Sequence, residues 1–250
     1  MVELPIYVGK EYLNIFDHLI KDEVVDSFNL NLFSLKISNC EFEYNLLIDE
    51  LVDRLVTFCT DSKMFLEYKE NNKIGRLGRE SRKLFRKYID VKRSNENSTS
   101  LEKTTDGELG ELMLYSFAES HLNAPKILTK MRFKTSSNDP VKRADGIHLI
   151  KKDENYFEVA YGESKLYQSL ATGLTDAFSS INDFIKRDNN NINDEKTFLS
   201  NNISYEFNDE QYNILKNILI PNENEEMYLE DSFIVFVGFE IDIPDEINKL

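Results

Sequence analysis

Two short segments carry acidic and basic residues at a spacing that suits phosphodiester hydrolysis. Asp145 stands at the start of an apolar segment, and Glu163 and Lys165 stand at the end of the next one. Residues two apart in a strand project from the same face, so Glu163 and Lys165 are expected to lie together. A hairpin between the two segments would place Asp145 beside them. The sequence therefore predicts two carboxylates and one ammonium group at one end of a hairpin.

This set of groups suits a divalent metal. Carboxylates on neighbouring strands are the hard ligands that Mg²⁺ accepts, with water and substrate phosphate completing its octahedron. We expect Asp145 and Glu163 to bind it, with the backbone carbonyl of Ser164 as a third ligand. The metal would lower the pKa of a bound water and screen the charge on the phosphate. Lys165 would orient that water and stabilise the same charge. The residues do not decide between Mg²⁺ and Mn²⁺.

Two glutamates on a predicted helix are further catalytic candidates. Residues 105–108 have the pattern of a capping box, and the helix is expected to run to about residue 121. Glu108 and Glu111 are three apart and share a helix face, so the sequence does not choose between them. Glu111 is preferred because Glu108 has the competing role in the cap.

Each candidate also has an ordinary structural interpretation. An Asp-Gly pair is most often a turn, and a Glu-x-Lys triplet is most often part of a solvated strand face. The chemical interpretation is favoured because the flanking segments are apolar. Charges at the ends of buried strands are costly unless they are used.

The distribution of charge identifies the part of the chain that is suited to DNA. The net charge of −15 argues against nucleic-acid binding, but the charges are distributed unevenly. Residues 1–72 carry 6 basic and 14 acidic side chains, residues 73–187 carry 21 basic and 16 acidic, and residues 188–250 carry 3 basic and 15 acidic. Only the middle is basic, with residues 73–93 its densest stretch. A solvated helix face is slightly favoured on charge alone. As a functional prediction, DNA contacts come from Arg76, Arg79, Arg82, Lys83, Arg86, Lys87, Lys142 and Arg143.

The N-terminal region, residues 1–100, is predicted to be an α+β region suited to binding a partner. Residues 27–39 alternate between apolar and polar, which is typical of a half-buried strand. Three- and four-residue spacing predicts helices over 43–58 and 80–88. The polar stretch 94–100 predicts a loop and a boundary.

The rest of the chain, residues 101–250, has the pattern of a compact α/β core. After the helix of Glu111, the expected order is an extended segment over 127–133, strands over 144–151 and 156–166, helices over 168–185 and 209–219, and a strand over 232–241. The Asn-rich stretch 188–209 is expected to be a loose surface insertion. This order predicts an α/β fold with a mixed central sheet flanked by helices.

The sequence also predicts a soluble protein of a reducing compartment. The longest apolar run, residues 233–239, is too short to cross a membrane, and the N-terminus lacks the pattern of a secretory signal. The two cysteines, Cys40 and Cys59, are interpreted as buried free thiols. We therefore expect a cytoplasmic protein with no membrane partner.

The candidate residues resemble the signature of a nuclease superfamily. The pattern Glu…Ala-Asp-Gly…Gly-Glu-Ser-Lys is similar to that of the PD-(D/E)xK nucleases, whose restriction-endonuclease-like core has the order α-β-β-β-α-β. The resemblance covers about residues 105–241, with Asp145, Glu163 and Lys165 at the three signature positions. Ala144 stands where a proline is often found, at a variable position.

A narrower resemblance involves nearly the whole chain. Five segments resemble the HamA family of the Hachiman anti-phage defence system. They are Leu32-Phe-Ser-Leu-Lys-Ile37, Cys40-Glu-Phe-Glu-Tyr44, Gly107-Glu-Leu-Gly-Glu111, Arg143-Ala-Asp-Gly146 and Gly162-Glu-Ser-Lys-Leu-Tyr167. The resemblance implies a bacterial cytoplasmic, nuclease-like subunit that pairs with a superfamily 2 helicase, HamB. It also implies DNA as the substrate and restraint of the nuclease until infection.

Three functions remain open on the sequence. The first is a Mg²⁺-dependent deoxyribonuclease that acts as effector of the helicase complex, and the intact set of Asp145, Glu163 and Lys165 favours it. The second is a catalytically silent nuclease-fold module that binds and regulates the helicase. The third, a restriction-type endonuclease with its own specificity, is weaker because the acidic balance gives little basis for base readout.

Overall fold

The N-terminal part of the protein combines two small sheets with three helices. The structure is a computed structural model, and it describes residues 4–25, 28–95, 106–129, 144–186, 190–220 and 227–241. A short 3-10 helix, Lys10–Ile15, leads into a hairpin of β1 (Phe16–Val25) and β2 (Phe28–Leu35) and then a small ribbon of β3 (Ile37–Ser38) and β4 (Glu41–Phe42). The helices that follow are α1 (Tyr44–Cys59), α2 (Ser62–Glu70) and α3 (Ile74–Asn95).

The first elements agree with the sequence prediction in kind but are more extensive. The predicted strand over 27–39 forms as β2 and β3, and the predicted helix over 43–58 forms as α1. The helix expected over 80–88 is the middle of the 22-residue α3. Strand β1 and helix α2 were not predicted.

The central sheet has four strands in the spatial order β5-β6-β7-β8. Helix α4 (Asp106–Ser120) precedes it, and its strands are β5 (Lys126–Leu128), β6 (Gly146–Lys151), β7 (Tyr156–Tyr167) and β8 (Tyr228–Phe239). The first two pairings are antiparallel, whereas β7 and β8 are parallel. The connection from β7 to β8 contains α5 (Leu170–Lys186), α6 (Asn190–Glu206) and α7 (Asp209–Leu219). The predicted α/β fold with a mixed, helix-flanked sheet is confirmed.

Helices α4 and α5 lie on opposite faces of β7. A Cβ atom added at Gly162 would lie 2.5 Å from Leu114 Cδ2, so the even-numbered positions of β7 face α4. The ring of Tyr161 packs against Phe184 of α5, with centroids 5.3 Å apart, so the odd-numbered positions face α5. Each residue near the end of β7 is thereby assigned to one helix or the other.

The N-terminal elements and α4 share one hydrophobic core. Tyr12, Phe16, Leu55 and Phe58 from the first hundred residues pack in the same cluster as Leu112, Tyr115 and Phe117 of α4. The segments on either side of residue 100 are therefore packed together. The division of the chain at this residue remains a prediction.

The expectation of a loose insertion over 188–209 is wrong. Most of this stretch forms α6, and Leu199, Ile203 and Phe207 are buried in a second hydrophobic cluster together with Ile147 and Val159 of the sheet. These three residues are four apart, so they fall on one helical stripe although the average hydrophobicity is low. Their burial offsets the polar composition of the other face.

Two further observations bear on the predicted compartment. Cys59 is buried as expected, but Cys40 is exposed, because it lies in the tight turn between β3 and β4. Both thiols are free. Within the described residues, no helix is long and apolar enough to cross a membrane.

Candidate functional site

The predicted hairpin brings Asp145 to the end of the pairing between β6 and β7. Gly146 pairs with Gly162, and the Asp145 amide donates a hydrogen bond of 2.7 Å to the Gly162 carbonyl. Strand β7 continues past this point to Tyr167, paired with β8 on its other side. Glu163, Ser164 and Lys165 therefore lie on a part of β7 that extends beyond the start of β6.

The Asp145 carboxylate is held by Ser164. The Ser164 backbone amide and the Ser164 hydroxyl both donate to Asp145 Oδ2, each at 2.9 Å. Ser164 is buried, whereas Asp145 is partly exposed. One side chain at the start of β6 is thus tied to the middle residue of the Glu-Ser-Lys triplet.

Glu163 and Lys165 lie together on the face of β7 that α5 covers. The Lys165 ammonium lies 2.5 Å from Glu163 Oε1, and the two side chains are 22% and 18% exposed for Lys165 and Glu163 respectively. Tyr161 occupies the preceding position on this face. The predicted common projection of Glu163 and Lys165 is seen in the structure, and both groups remain reachable from solvent.

The helical glutamates lie on the other face of β7. Glu108 and Glu111 are 0% and 3% exposed, on the helix that packs over the even-numbered positions. Glu111 lines a small cavity together with Asp145. The structure therefore groups Asp145 with Glu111 and Glu163 with Lys165, which favours Glu111 as the helical candidate near Asp145. The capping box predicted over residues 105–108 begins at residue 105, which lies outside the described residues.

A buried lysine that sequence reasoning missed lies in the same cavity. Lys126 Nζ donates to the carbonyl oxygens of Thr57, Phe58 and Thr60 at 2.6, 3.1 and 3.1 Å. These are carbonyls at the C-terminal end of α1, which an ammonium group stabilises. Burial lowers the pKa of Lys126, and the carboxylates of Glu206 and Glu119 oppose that shift. The only signal in the sequence was a lysine at the start of an apolar strand.

His148 also lines the cavity and was not among the predicted site residues. Its Nδ1 lies 2.9 Å from the Ala124 carbonyl oxygen. Burial lowers the pKa of His148 to about 4, so its imidazole is neutral near pH 7. Nδ1 must then carry the proton, because a carbonyl can only accept, and Nε2 carries the lone pair.

The described part of the structure includes the side chains of only some of the predicted DNA-contacting residues. Arg79, Arg82 and Lys83 are exposed on α3, while Arg76 Nε lies 2.8 Å from Glu80 Oε1 in an ion pair on the same helix. Arg86 and Lys87 belong to α3, but their side chains are outside the described part. Lys142 and Arg143 lie wholly outside it. The visible members form one basic face.

The donors around Asp145 fit a hard cation that keeps part of its water shell. Among the described residues, no three His, Cys, Asp or Glu side chains are grouped as a metal cage. The N–H and C=O groups of one residue in a strand point to the same side of that strand. Because the Ser164 amide donates to Asp145, the Ser164 carbonyl also points toward the side on which Asp145 lies. Glu163 precedes Ser164 and lies with Lys165 on the α5 face, and its donors are also oxygens, as Mg²⁺ or Mn²⁺ prefers. The set suits a cation completed by water and substrate.

Comparison with known proteins places the chain in a family. The family model for HamA matches residues 10–250, nearly the whole chain. No curated protein matches it.

Proposed function

The chain belongs to the HamA family, and from that premise we propose that it is a Mg²⁺-dependent DNA nuclease acting as effector of a bacterial defence complex. Membership makes it a nuclease-like component of the Hachiman anti-phage system, in which it acts with a partner. We propose that the partner is a superfamily 2 helicase of the HamB type, which restrains the nuclease and delivers DNA to it in the cytoplasm.

The observation that carries the proposal is the arrangement at the end of β7. Glu163 and Lys165 share one face, and Asp145 is hydrogen-bonded to the residue between them. Asp145, Glu163 and the Ser164 carbonyl would hold Mg²⁺, or Mn²⁺ in its place. When bound, the metal would make water a stronger nucleophile and neutralise charge on the scissile phosphate.

Lys165 has a separate role in this proposal. Its ammonium group lies at the Glu163 carboxylate, where it can orient the attacking water and stabilise negative charge on the phosphate. Glu111 lines the same cavity as Asp145, and in this proposal it binds a water of the metal's hydration shell.

The charge of the chain supports dependence on a partner. The net charge is −15, and the exposed basic residues of α3 form a limited face. Binding of DNA by the isolated chain should therefore be weak and sensitive to salt. A helicase that already holds DNA would supply the missing affinity.

Exposed apolar residues in the N-terminal hairpin support a docking role for that region. Leu19, Val24 and Phe28 are more than half exposed, and the Phe28 ring contacts Phe178 of α5 at 5.3 Å. Phe28 and Phe178, which are 53% and 41% exposed, form a small apolar patch, and such patches are typical of sites that bind other proteins. We propose that this hairpin contributes to binding the helicase.

The experiment compares plasmid cleavage in Mg²⁺ by the chain alone and by the chain with its partner helicase. Wild type, Glu163→Ala and Lys165→Ala are measured side by side. We expect cleavage by the wild-type complex, much less by the lone chain, and loss of cleavage in both variants. Equal activity of the lone chain and the complex would contradict delivery by the partner.

The second candidate function is a silent module that binds the helicase and regulates it. The absence of a three-residue metal cage in the described residues is the observation that favours it. Phage protection in cells decides between the two. Protection that survives both Glu163→Ala and Lys165→Ala would support the silent module, whereas protection lost in both supports the nuclease.

A further inference from the structure

We propose that Ser164 is a positioning residue that holds the Asp145 carboxylate in the orientation required for binding a divalent metal. This inference rests on the proposed function, because it concerns the same metal. It gives a role to the middle residue of the Glu-Ser-Lys triplet, whose side chain points away from Glu163 and Lys165.

The first support is the double hydrogen bond. The Ser164 amide and hydroxyl approach the same oxygen, Asp145 Oδ2, at 2.9 Å each. Two donors from one residue fix both the position of that oxygen and the rotation of the carboxylate plane. A carboxylate has about four acceptor sites, and the two hydrogen bonds from Ser164 occupy two of them.

The second support is the packing around the Ser164 side chain. Ser164 is buried under α4, and a Cβ atom added at Gly110 would lie 3.2 Å from Ser164 Oγ. Helix α4 therefore closes over the hydroxyl and limits its rotation. The glycine at position 110 allows this close approach, so the donor is held rigidly.

The third support is the location of Asp145 itself. It precedes Gly146, the first residue of β6, so its side chain is not aligned by a neighbouring pair in the strand ladder. Its backbone is fixed by the hydrogen bond to Gly162, but its side chain is partly exposed. Ser164 supplies the constraint that strand pairing does not.

The expected consequence is stronger metal binding. A carboxylate that is already oriented loses less rotational freedom when it binds a cation. Removal of residues that orient metal ligands typically weakens metal binding by about 10- to 100-fold. Ser164→Ala removes the hydroxyl and keeps the backbone amide, so we expect a loss near the lower end, about tenfold.

The test measures Mn²⁺ binding to the full-length chain by electron paramagnetic resonance or calorimetry. Wild type is compared with Ser164→Ala and with the matched control Ser116→Ala. Ser116 is also buried and donates its hydroxyl to the Leu112 carbonyl at 2.8 Å, without contacting the site. Thermal unfolding without metal reports any general loss of stability.

A purely structural role and a positioning role give different results. We expect Ser164→Ala to bind Mn²⁺ about tenfold more weakly than Ser116→Ala. In the complex with the partner, it should need more Mg²⁺ for half-maximal cleavage but reach a similar maximal rate. If Ser164→Ala lowers only the unfolding temperature and binds Mn²⁺ like wild type, the positioning role is overturned.

Two further measurements keep the test decisive. If Ser164→Ala does not fold, Ser164→Cys retains a weaker donor of similar size and should have intermediate affinity; wild-type affinity would overturn the inference. In an Asp145→Ala background, adding Ser164→Ala should cause no further loss of affinity. A further tenfold loss there would show that Ser164 does not act through Asp145.

Failure of the inference and failure of the proposed function are distinguishable. Absence of Mn²⁺ binding in the wild type, together with cleavage that survives Glu163→Ala, would remove the metal-dependent nuclease and this inference with it. Wild-type Mn²⁺ affinity retained in Ser164→Ala, with cleavage still lost in Glu163→Ala, would remove only the role of Ser164.

Discussion

The ring of Phe85 packs edge-on against the ring of Phe58, with centroids 6.2 Å apart. Phe85 belongs to the basic helix α3, and Phe58 lines the cavity that Asp145 also lines. The contact joins the predicted DNA-binding helix to the wall of the candidate site. Phe85 lies about half a turn around the helix from Arg76, so the apolar side of α3 packs toward the site and the basic side is exposed.

The first prediction concerns this basic helix. Replacing Arg79, Arg82 and Lys83 by alanine should weaken DNA binding and lower the slope of log affinity against log salt by about 0.9 per lost phosphate contact. Fluorescence anisotropy with labelled duplex, over a range of salt concentrations, measures both. The matched control removes three exposed lysines elsewhere, Lys21, Lys36 and Lys63. If the control lowers the slope as much, general charge rather than α3 explains the binding.

The second prediction tests the close packing of α4 on β7. Gly162→Ala places a Cβ atom 2.5 Å from Leu114 Cδ2, so the Leu114 side chain or the helix must shift. Overpacking of this kind costs about 1–3 kcal/mol of unfolding free energy, measurable by urea denaturation. Gly75→Ala is the control, because an added Cβ there meets nothing within 4 Å. A stable Gly162→Ala protein would show that the glycine is not required by packing.

The third prediction tests the correction over α6. Leu199 is 1% exposed, and Leu199→Ala should lower the unfolding free energy by about 2–5 kcal/mol. Asn201→Ala, at an exposed position of the same helix, should change it by less than about 0.5 kcal/mol. Equally small changes in unfolding free energy in both variants would indicate that this stretch is a loose surface insertion after all.

The fourth prediction concerns pH and His148. Its folded pKa of about 4 lies below the ordinary 6.5, so between these values the unfolded chain binds more protons than the folded one. Stability should therefore fall as the pH drops from 6.5 toward 4, by up to roughly 3 kcal/mol from this group. Urea midpoints in chelator at pH 7 and pH 5 measure the change. The difference in urea midpoint between pH 7 and pH 5 should be smaller in His148→Gln. If this difference is unchanged in the variant, His148 is not its source.

The sequence was sufficient for the hairpin that carries the candidate residues. Alternating apolar residues around Val159 and Leu149, with a polar turn at 153–155, specify two paired strands with one register. The common face of Glu163 and Lys165 then follows from the two-residue period. These features are local, so one segment of sequence contains all the information.

The placement of the helices depends on contacts between distant segments and could not be read from the sequence. The sequence predicts the helix of Glu111 but does not show that this helix, α4, covers the face of β7 opposite to Glu163. The ammonium group of Lys126 donates to carbonyl oxygens at the C-terminal end of α1, more than sixty residues earlier in the chain. A periodic pattern identifies the apolar stripe of a helix but not the surface it covers.

The most direct test of the central claim is the initial rate of Mg²⁺-dependent plasmid cleavage by the complex carrying Glu163→Gln, measured against Glu158→Gln. Both glutamates are on β7 and face a lysine, but Glu158 pairs with Lys152 at 3.2 Å and lies roughly 16 Å along the strand from Glu163. We predict a loss on the order of 100-fold for Glu163→Gln and a rate within about twofold of wild type for Glu158→Gln. Equal rates in the two variants would contradict the assignment of Glu163 to the active site.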